Sequence, residues 1–178
     1  RESVTIIDCI RLFTAKENLG NDEQPICGRC KARRPCQKSF TIQKFPRVLV
    51  LHLKRFSGER LRSKLNTLVD FPPTELDLSE FASEGCANLE TGVYNLYGIA
   101  NHSGSVYGGH YTAYCFNPIS KCWFQFNDSN ESFILGSSLS KEMEFNPTCV
   151  KYEANSNLID KLNSSPLFLI KTISFIKT

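Results

Sequence analysis

Residues 101–115 read Asn-His-Ser-Gly-Ser-Val-Tyr-Gly-Gly-His-Tyr-Thr-Ala-Tyr-Cys and hold the side chains best suited to chemistry. Two adjacent glycines, which remove Cβ atoms where another backbone could approach, precede His110. From there the pattern alternates. His110, Thr112 and Tyr114 share one face of an expected strand, and Tyr111, Ala113 and Cys115 the other. A turn near Asn117-Pro118 returns the chain through Trp123 and Phe126 to Asn127-Asp128. In an antiparallel hairpin the numbers of opposed residues have a constant sum. If 116 faces 121 across a four-residue loop, 110 faces 127, with Cβ atoms roughly 4.5–5.5 Å apart. The Asn127 oxygen could then accept from one imidazole nitrogen and leave the other as a general base. That is two-thirds of a Cys-His-Asn nucleophilic triad. Asp128 points to the opposite face in this register, and a slip of one residue would exchange the two. The plainer alternative is a surface histidine at a loop end.

A triad of this kind needs a thiol. Cysteines stand at 9, 27, 30, 36, 86, 115, 122 and 149. Cys115 and Cys122 face away from His110 in the expected register. Cys9 lies inside an expected helix, away from the N-terminal end where the dipole lowers a thiol pKa. The nucleophile is therefore expected to be absent from this chain. Cys27-Gly-Arg-Cys30 has the spacing of half a tetrahedral zinc site. No second such pair is present, so either the remaining ligands precede residue 1 or these are free thiols.

The elements that position these residues follow from periodicity. Residues 3–18 read as a helix, capped by Ser3, with Ile6, Ile7, Ile10 and Phe13 on one face and Gly20 as its stop. Residues 21–38 read as a polar loop. A period of two begins near Phe40 and Ile42 and leads, past Pro46, into the β-rich run 48–53. Residues 60–67 read as a basic connector, 68–71 as a short strand and 76–81 as a turn or short helix. Residues 93–100 read as a strand, 101–109 as a glycine-rich loop, and 110–116 and 122–126 as two further strands. Beyond Asp128 the sequence is rich in Ser and Asn and weakly patterned, ending in an apolar stretch at 166–176.

Composition sets outer limits. The 178 residues are 41% hydrophobic and 22% charged, an ordinary globular balance that argues against disorder. The net charge of +3 hides an asymmetry: residues 1–65 carry 15 basic and 6 acidic side chains. A solvated basic face is the commonest cause of such a cluster. A nucleic-acid module built on residues 29–64 is disfavoured, because its interleaved aromatics are few. No uncharged run approaches the ~18 residues of a membrane-spanning helix. The chain opens Arg1-Glu2 and shows no secretory pattern, so it reads as an internal fragment that nothing marks as secreted, and the expected location is intracellular, cytoplasmic and/or nuclear.

Taken together, Asp8-Cys9 to Leu12-Phe13, Cys27-Gly-Arg-Cys30, Phe45-Pro46-Arg47-Val48 through Lys54-Arg55-Phe56, Val69-Asp70-Phe71-Pro72, Tyr94-Asn-Leu-Tyr97, the histidine box at 101–114 and Phe126-Asn127-Asp128-Ser129 closely resemble the second half of the ubiquitin-specific protease catalytic domain. The resemblance covers residues 3–129. It implies an α+β, papain-like cysteine protease fold in part: an antiparallel palm and fingers sheet with one N-terminal helix, the thumb absent. It also implies hydrolysis after the terminal glycine of ubiquitin, with ubiquitin and ubiquitinated proteins as partners. Carried over by position, His110 is the general base, Asn127 its orienting residue and Asp128 a supporting group. Ser103, Gly104, Gly108 and Gly109 match the loop beside the substrate tail. Cys27 and Cys30 match half of a structural zinc site in the fingers. On this reading residues 130–178 form a divergent tail, and the chain alone hydrolyses nothing. The alternative is a non-catalytic ubiquitin-binding or regulatory form.

Overall fold

The computed structural model describes residues 3–56, 64–134, 147–154 and 170–175. Strand β1 (Ser3–Thr5) runs straight into helix α1 (Ile6–Thr14). The helix cap is Thr5 rather than Ser3. The Thr5 hydroxyl accepts from the Asp8 N–H at 3.1 Å, and the Asp8 carboxylate accepts from the Thr5 N–H at 3.1 Å. This reciprocal capping box fixes the first turn. Asp8 is held below the ordinary carboxylate range, chiefly by the Thr5 hydroxyl and then by the Thr5 N–H. The helix also stops well short of Gly20. Thr14 Oγ1 donates back to the Ile10 carbonyl at 2.9 Å, and the chain leaves extended at Ala15. Ile6 and Ile10 are buried, and Ile7 and Phe13 pack against the same core, as the periodicity predicts.

Two short strands, β2 (Glu17–Asn18) and β3 (Gln37–Lys38), pair with each other around the polar segment between them. Phe40 and Ile42 do not start a strand. Phe40 stacks on Phe13 at 4.8 Å, and Ile42 makes an isolated bridge to Ala82. Regular structure resumes at β4 (Val48–Leu53). Next comes β5 (Leu68–Asp70), which pairs in parallel with β1 and so draws residues 3–5 out of the helix. The segment expected as a turn divides into β6 (Leu76–Asp77) and a 3₁₀ turn at Ser79–Phe81. Residues 57–63, which include the first half of the expected basic connector, lie outside the described residues.

The strands β7 (Val93–Ser105), β8 (Gly108–Asn117), β9 (Cys122–Asn127) and β10 (Asn130–Ile134) form an antiparallel meander. Strand β11 (Pro147–Ala154) lies between β7 and β4, and β12 (Ile170–Phe175) pairs in parallel with β4. The order across the sheet is β10-β9-β8-β7-β11-β4-β12, with β6 pairing to β7. Within the span read as a divergent tail, residues 147–154 form β11, and Val150 and Tyr152 lie fully buried at the centre of the sheet. Val150, Tyr152 and Ala154 alternate with Lys151 and Glu153, which stand on the other face, but the run is short and follows a Ser- and Asn-rich segment. Within the apolar stretch at 166–176, β12 lies at the edge of the sheet, while the central place belongs to β11.

One face of the sheet carries the core. Leu49, Leu51 and Leu53 of β4, Val150, Tyr152 and Ala154 of β11, Tyr94, Leu96 and Ile99 of β7, Tyr114 of β8 and Trp123 of β9 are buried with Ile6 and Ile10 of α1. A buried side chain of this size contributes about 1.5–3 kcal/mol. β11 skips a residue of β7 between Gly98 and Leu96, which keeps Leu96 and Ile99 on the same face despite their odd spacing. Two buried tyrosines tie loops to this core: Tyr94 donates to the Pro46 carbonyl at 2.7 Å and Tyr152 to that of Pro72 at 2.8 Å.

Candidate active site

The core face runs along β8 from buried Tyr114 to exposed His110, where the apolar filling gives out. His110 Nε2 lies 2.6 Å from Asn127 Oδ1. This is the one side-chain hydrogen bond of His110 among the described residues. An amide oxygen only accepts, so the proton of a neutral imidazole sits on Nε2 and the lone pair on Nδ1. A ring so arranged can take a proton at Nδ1 while Asn127 keeps its orientation.

The meeting is the expected one, but the register that produces it is not. β8 and β9 close at Asn117 and Cys122, one residue further round than expected. Asn117 causes the shift: its side-chain oxygen accepts from the N–H groups of Ile119 and Ser120 at 2.9 and 3.2 Å, so the turn holds residues 118–121. Lys121 completes it with φ of 55°. Moving the closure by one residue moves every pairing by two, which keeps each side chain on its face. Continuing the ladder puts Asn127 opposite Thr112, and it reaches His110 along the diagonal.

Asp128 occupies the β9–β10 turn with φ of 51°. It makes no hydrogen bond or ion pair among the described residues. Cys115 lies on the face of β8 opposite to His110, and the Cys122 thiol donates to the Ser120 carbonyl at 3.0 Å. No cysteine bonds to His110 among the described residues.

The expected glycine-rich loop is instead the tight end of the β7–β8 hairpin. Ser105 pairs with Gly108 and Gly104 with Gly109, leaving only Val106 and Tyr107 in the turn. Neither turn residue has positive φ, and the strain falls on Gly104 at φ of +116°. A Cβ there would stand 2.5 Å from the Gly108 carbonyl oxygen. A Cβ on Gly109 would run into the His102 ring and the Ser103 carbonyl. Both glycines are thus demanded by the hairpin itself, whereas Gly108 has open space on its missing side. Ser103 is exposed opposite His110, and its hydroxyl donates to the His110 carbonyl at 3.4 Å.

Sequence reasoning passed over Asn101 and His102. Asn101 pairs with Thr112, which puts it on the face of His110, and its side-chain oxygen is buried with no hydrogen-bond partner. His102 pairs with Tyr111 on the opposite face and is 6% exposed. Extending the alternation of β7 past Ala100 would have revealed both faces.

Cys27 and Cys30 sit in a small hairpin bridged at Ile26 and Arg33. The Cys27 N–H donates to the Ala32 carbonyl and the Lys31 N–H to that of Cys27, each at 2.9 Å. Arg34 Nε donates to Cys30 Sγ at 3.4 Å. That bond, followed by contacts with Ala32 and the Cys27 side chain, holds the Cys30 thiol below its ordinary pKa. Two neighbouring thiols, one of them favoured as thiolate, fit half of a tetrahedral zinc site. Among the described residues no group of three or more metal-ligating side chains gathers. Among those residues, too, no helix is long and apolar enough to cross a membrane.

A mixed sheet with one helix against its core face, and a histidine–asparagine pair where that core ends, define part of a papain-like α+β fold. A family model described as "Ubiquitin carboxyl-terminal hydrolase" matches residues 11–153, a span that takes in β11. The chain belongs to this family. It is 61% identical over 127 residues to ubiquitin carboxyl-terminal hydrolase 2 of Gallus gallus, covering 71% of this chain and 35% of that protein. The Homo sapiens protein of the same name is 57% identical over 128 residues, covering 71% and 21%. Ubiquitin carboxyl-terminal hydrolase 21 of Bos taurus is 44% identical over 133 residues, covering 72% and 22%. The chain therefore spans about a third or less of these relatives. Among solved structures, a chain of the SAGA Ubp8/Sgf11/Sus1/Sgf73 DUB module bound to ubiquitin aldehyde superposes with a TM-score of 0.68 at 32% identity, covering 86% of this chain and 35% of that one.

Proposed function

We propose that this chain is the part of a ubiquitin-specific cysteine protease that holds the base and its orienting residue. His110 Nδ1 takes the proton of a cysteine thiol contributed by a part of the protein outside this sequence, and Asn127 holds the imidazole. The thiolate attacks the carbonyl after the terminal glycine of ubiquitin, His110 returns the proton to the leaving amine, and water hydrolyses the thioester. The 2.6 Å contact between His110 and Asn127 carries this reading. Ubiquitin is the proposed partner, supported by the names of the relatives and by the ubiquitin aldehyde in the similar DUB module. Its extended tail would lie along Ser103, Gly104, Gly108 and Gly109, and only Gly108 offers open space at its α-carbon. Asp128, at the end of β9, is a supporting polar group beside the pair. Zinc would be held by Cys27 and Cys30 with two further ligands, and it would fix the hairpin rather than take part in the reaction. The same reading puts the protein in the cytoplasm or nucleus.

The test is hydrolysis of ubiquitin-aminomethylcoumarin by the full-length protein. His110→Ala is expected to lower kcat by about 10²–10⁴-fold, the usual contribution of a positioned general base. Turnover close to the unaltered protein would overturn the assignment.

A further inference from the structure

His102 is a buried histidine that the proposed chemistry does not use. Its ring meets Tyr111 across the hairpin at 4.7 Å between centroids and Phe56 edge-on at 5.5 Å. It also fills the place that a Cβ on residue 109 would occupy. Its backbone carbonyl accepts from the ammonium of Lys64. Phe56 and Lys64 are themselves bridged, and they flank residues 57–63 in sequence. One residue thus touches Phe56, Lys64 and Gly109, the last of these adjacent to His110. Its Nδ1 is buried and has no hydrogen-bond partner. Such an atom lowers stability. The ring is therefore held by shape rather than by a polar contact.

We propose that His102 is a positioning residue, which ties Phe56 and Lys64 to the Gly109 end of the β7–β8 hairpin and so sets the seat of the ubiquitin tail. The proposal rests on the functional reading above. It makes a directional claim, because His102 and His110 stand on opposite faces of the hairpin. Removing the His102 ring leaves the His110–Asn127 bond in place but frees Gly109, and with it the expected tail-binding residues Ser103, Gly104 and Gly108. Substrate binding should suffer more than the chemical step.

The experiment uses the full-length protein and steady-state hydrolysis of ubiquitin-aminomethylcoumarin, with thermal melting of each variant. His102→Ala is expected to raise KM about tenfold or more, within the loss that a small misplacement produces, while kcat changes less than about threefold. His102→Phe keeps a ring against Tyr111, Phe56 and Gly109, drops the partnerless nitrogen, and is expected to restore most of KM. Phe56→Ala should raise KM as well, and combining it with His102→Ala should add little, since both break one contact. An unchanged KM in His102→Ala overturns the proposal. So does a loss of activity that only follows the loss of folded protein. If His102→Ala fails to fold, Phe56→Ala decides the matter, and an unaltered KM there overturns it. Activity surviving in His110→Ala would instead refute the functional reading, whatever His102 does.

Discussion

Replacing Asn127 by alanine removes the one side-chain hydrogen bond that His110 makes among the described residues. In the proposed reaction His110 becomes an imidazolium, so the bond grows stronger as the thiol gives up its proton. A hydrogen bond to a charged group is worth about 1.5–3 kcal/mol, and each 1.36 kcal/mol is a factor of ten in rate. The expected loss in kcat is therefore about 10- to 150-fold, and the exposure of His110 points to the lower half of that range. KM should change little, because the carboxamide bonds the imidazole and none of the proposed tail-binding residues. Asn127→Asp restores an acceptor at the same place and should recover much of the loss. The assay is again ubiquitin-aminomethylcoumarin hydrolysis by the full-length protein, with kcat and KM determined separately. A kcat for Asn127→Ala within about twofold of the unaltered protein would show that the bond orients nothing of consequence.

Two further outcomes follow from other parts of the chain. Cys27→Ser in the full-length protein is expected to lower the zinc content measured by inductively coupled plasma mass spectrometry, since a structural site depends on all four ligands; unchanged stoichiometry would exclude this hairpin as a metal site. Asp8 has its pKa depressed in the folded state by the Thr5 hydroxyl and N–H, so its contribution to stability is present above the ordinary carboxylate value of ~3.9 and is lost as pH falls through the lower folded value. Melting temperature should accordingly fall less steeply below about pH 4 in Asp8→Asn than in the unaltered protein, and parallel profiles would refute the role of the capping box.

Much of the sheet was legible because its signals are local. The leucines of β4 recur every second residue, and Ile6 and Ile10 mark one side of a helical turn, so both faces can be read from hydrophobicity alone. The hairpin bearing His110 could be predicted for the same reason, and its face assignment survived a shift in closure because the shift was by a whole pair. Elements set by distant partners were less legible. Residues 3–5 look helical until β5 pairs with them from more than sixty positions away. β11 looks like part of a polar tail until β4 and β7 flank it.

What the sequence by itself determined was the identity and facing of the chemical groups: an imidazole and a carboxamide on one side of two adjoining strands, and two thiols at metal-binding spacing. Alternation along a strand is a property of the backbone, and it holds wherever the strand is placed. Tertiary structure alone decided that Asn127 reaches His110 diagonally, that Gly109 makes room for His102, and that residues 147–154 complete the centre of the sheet. Each of these depends on which surfaces meet, and contact between surfaces is settled only when the whole chain has packed.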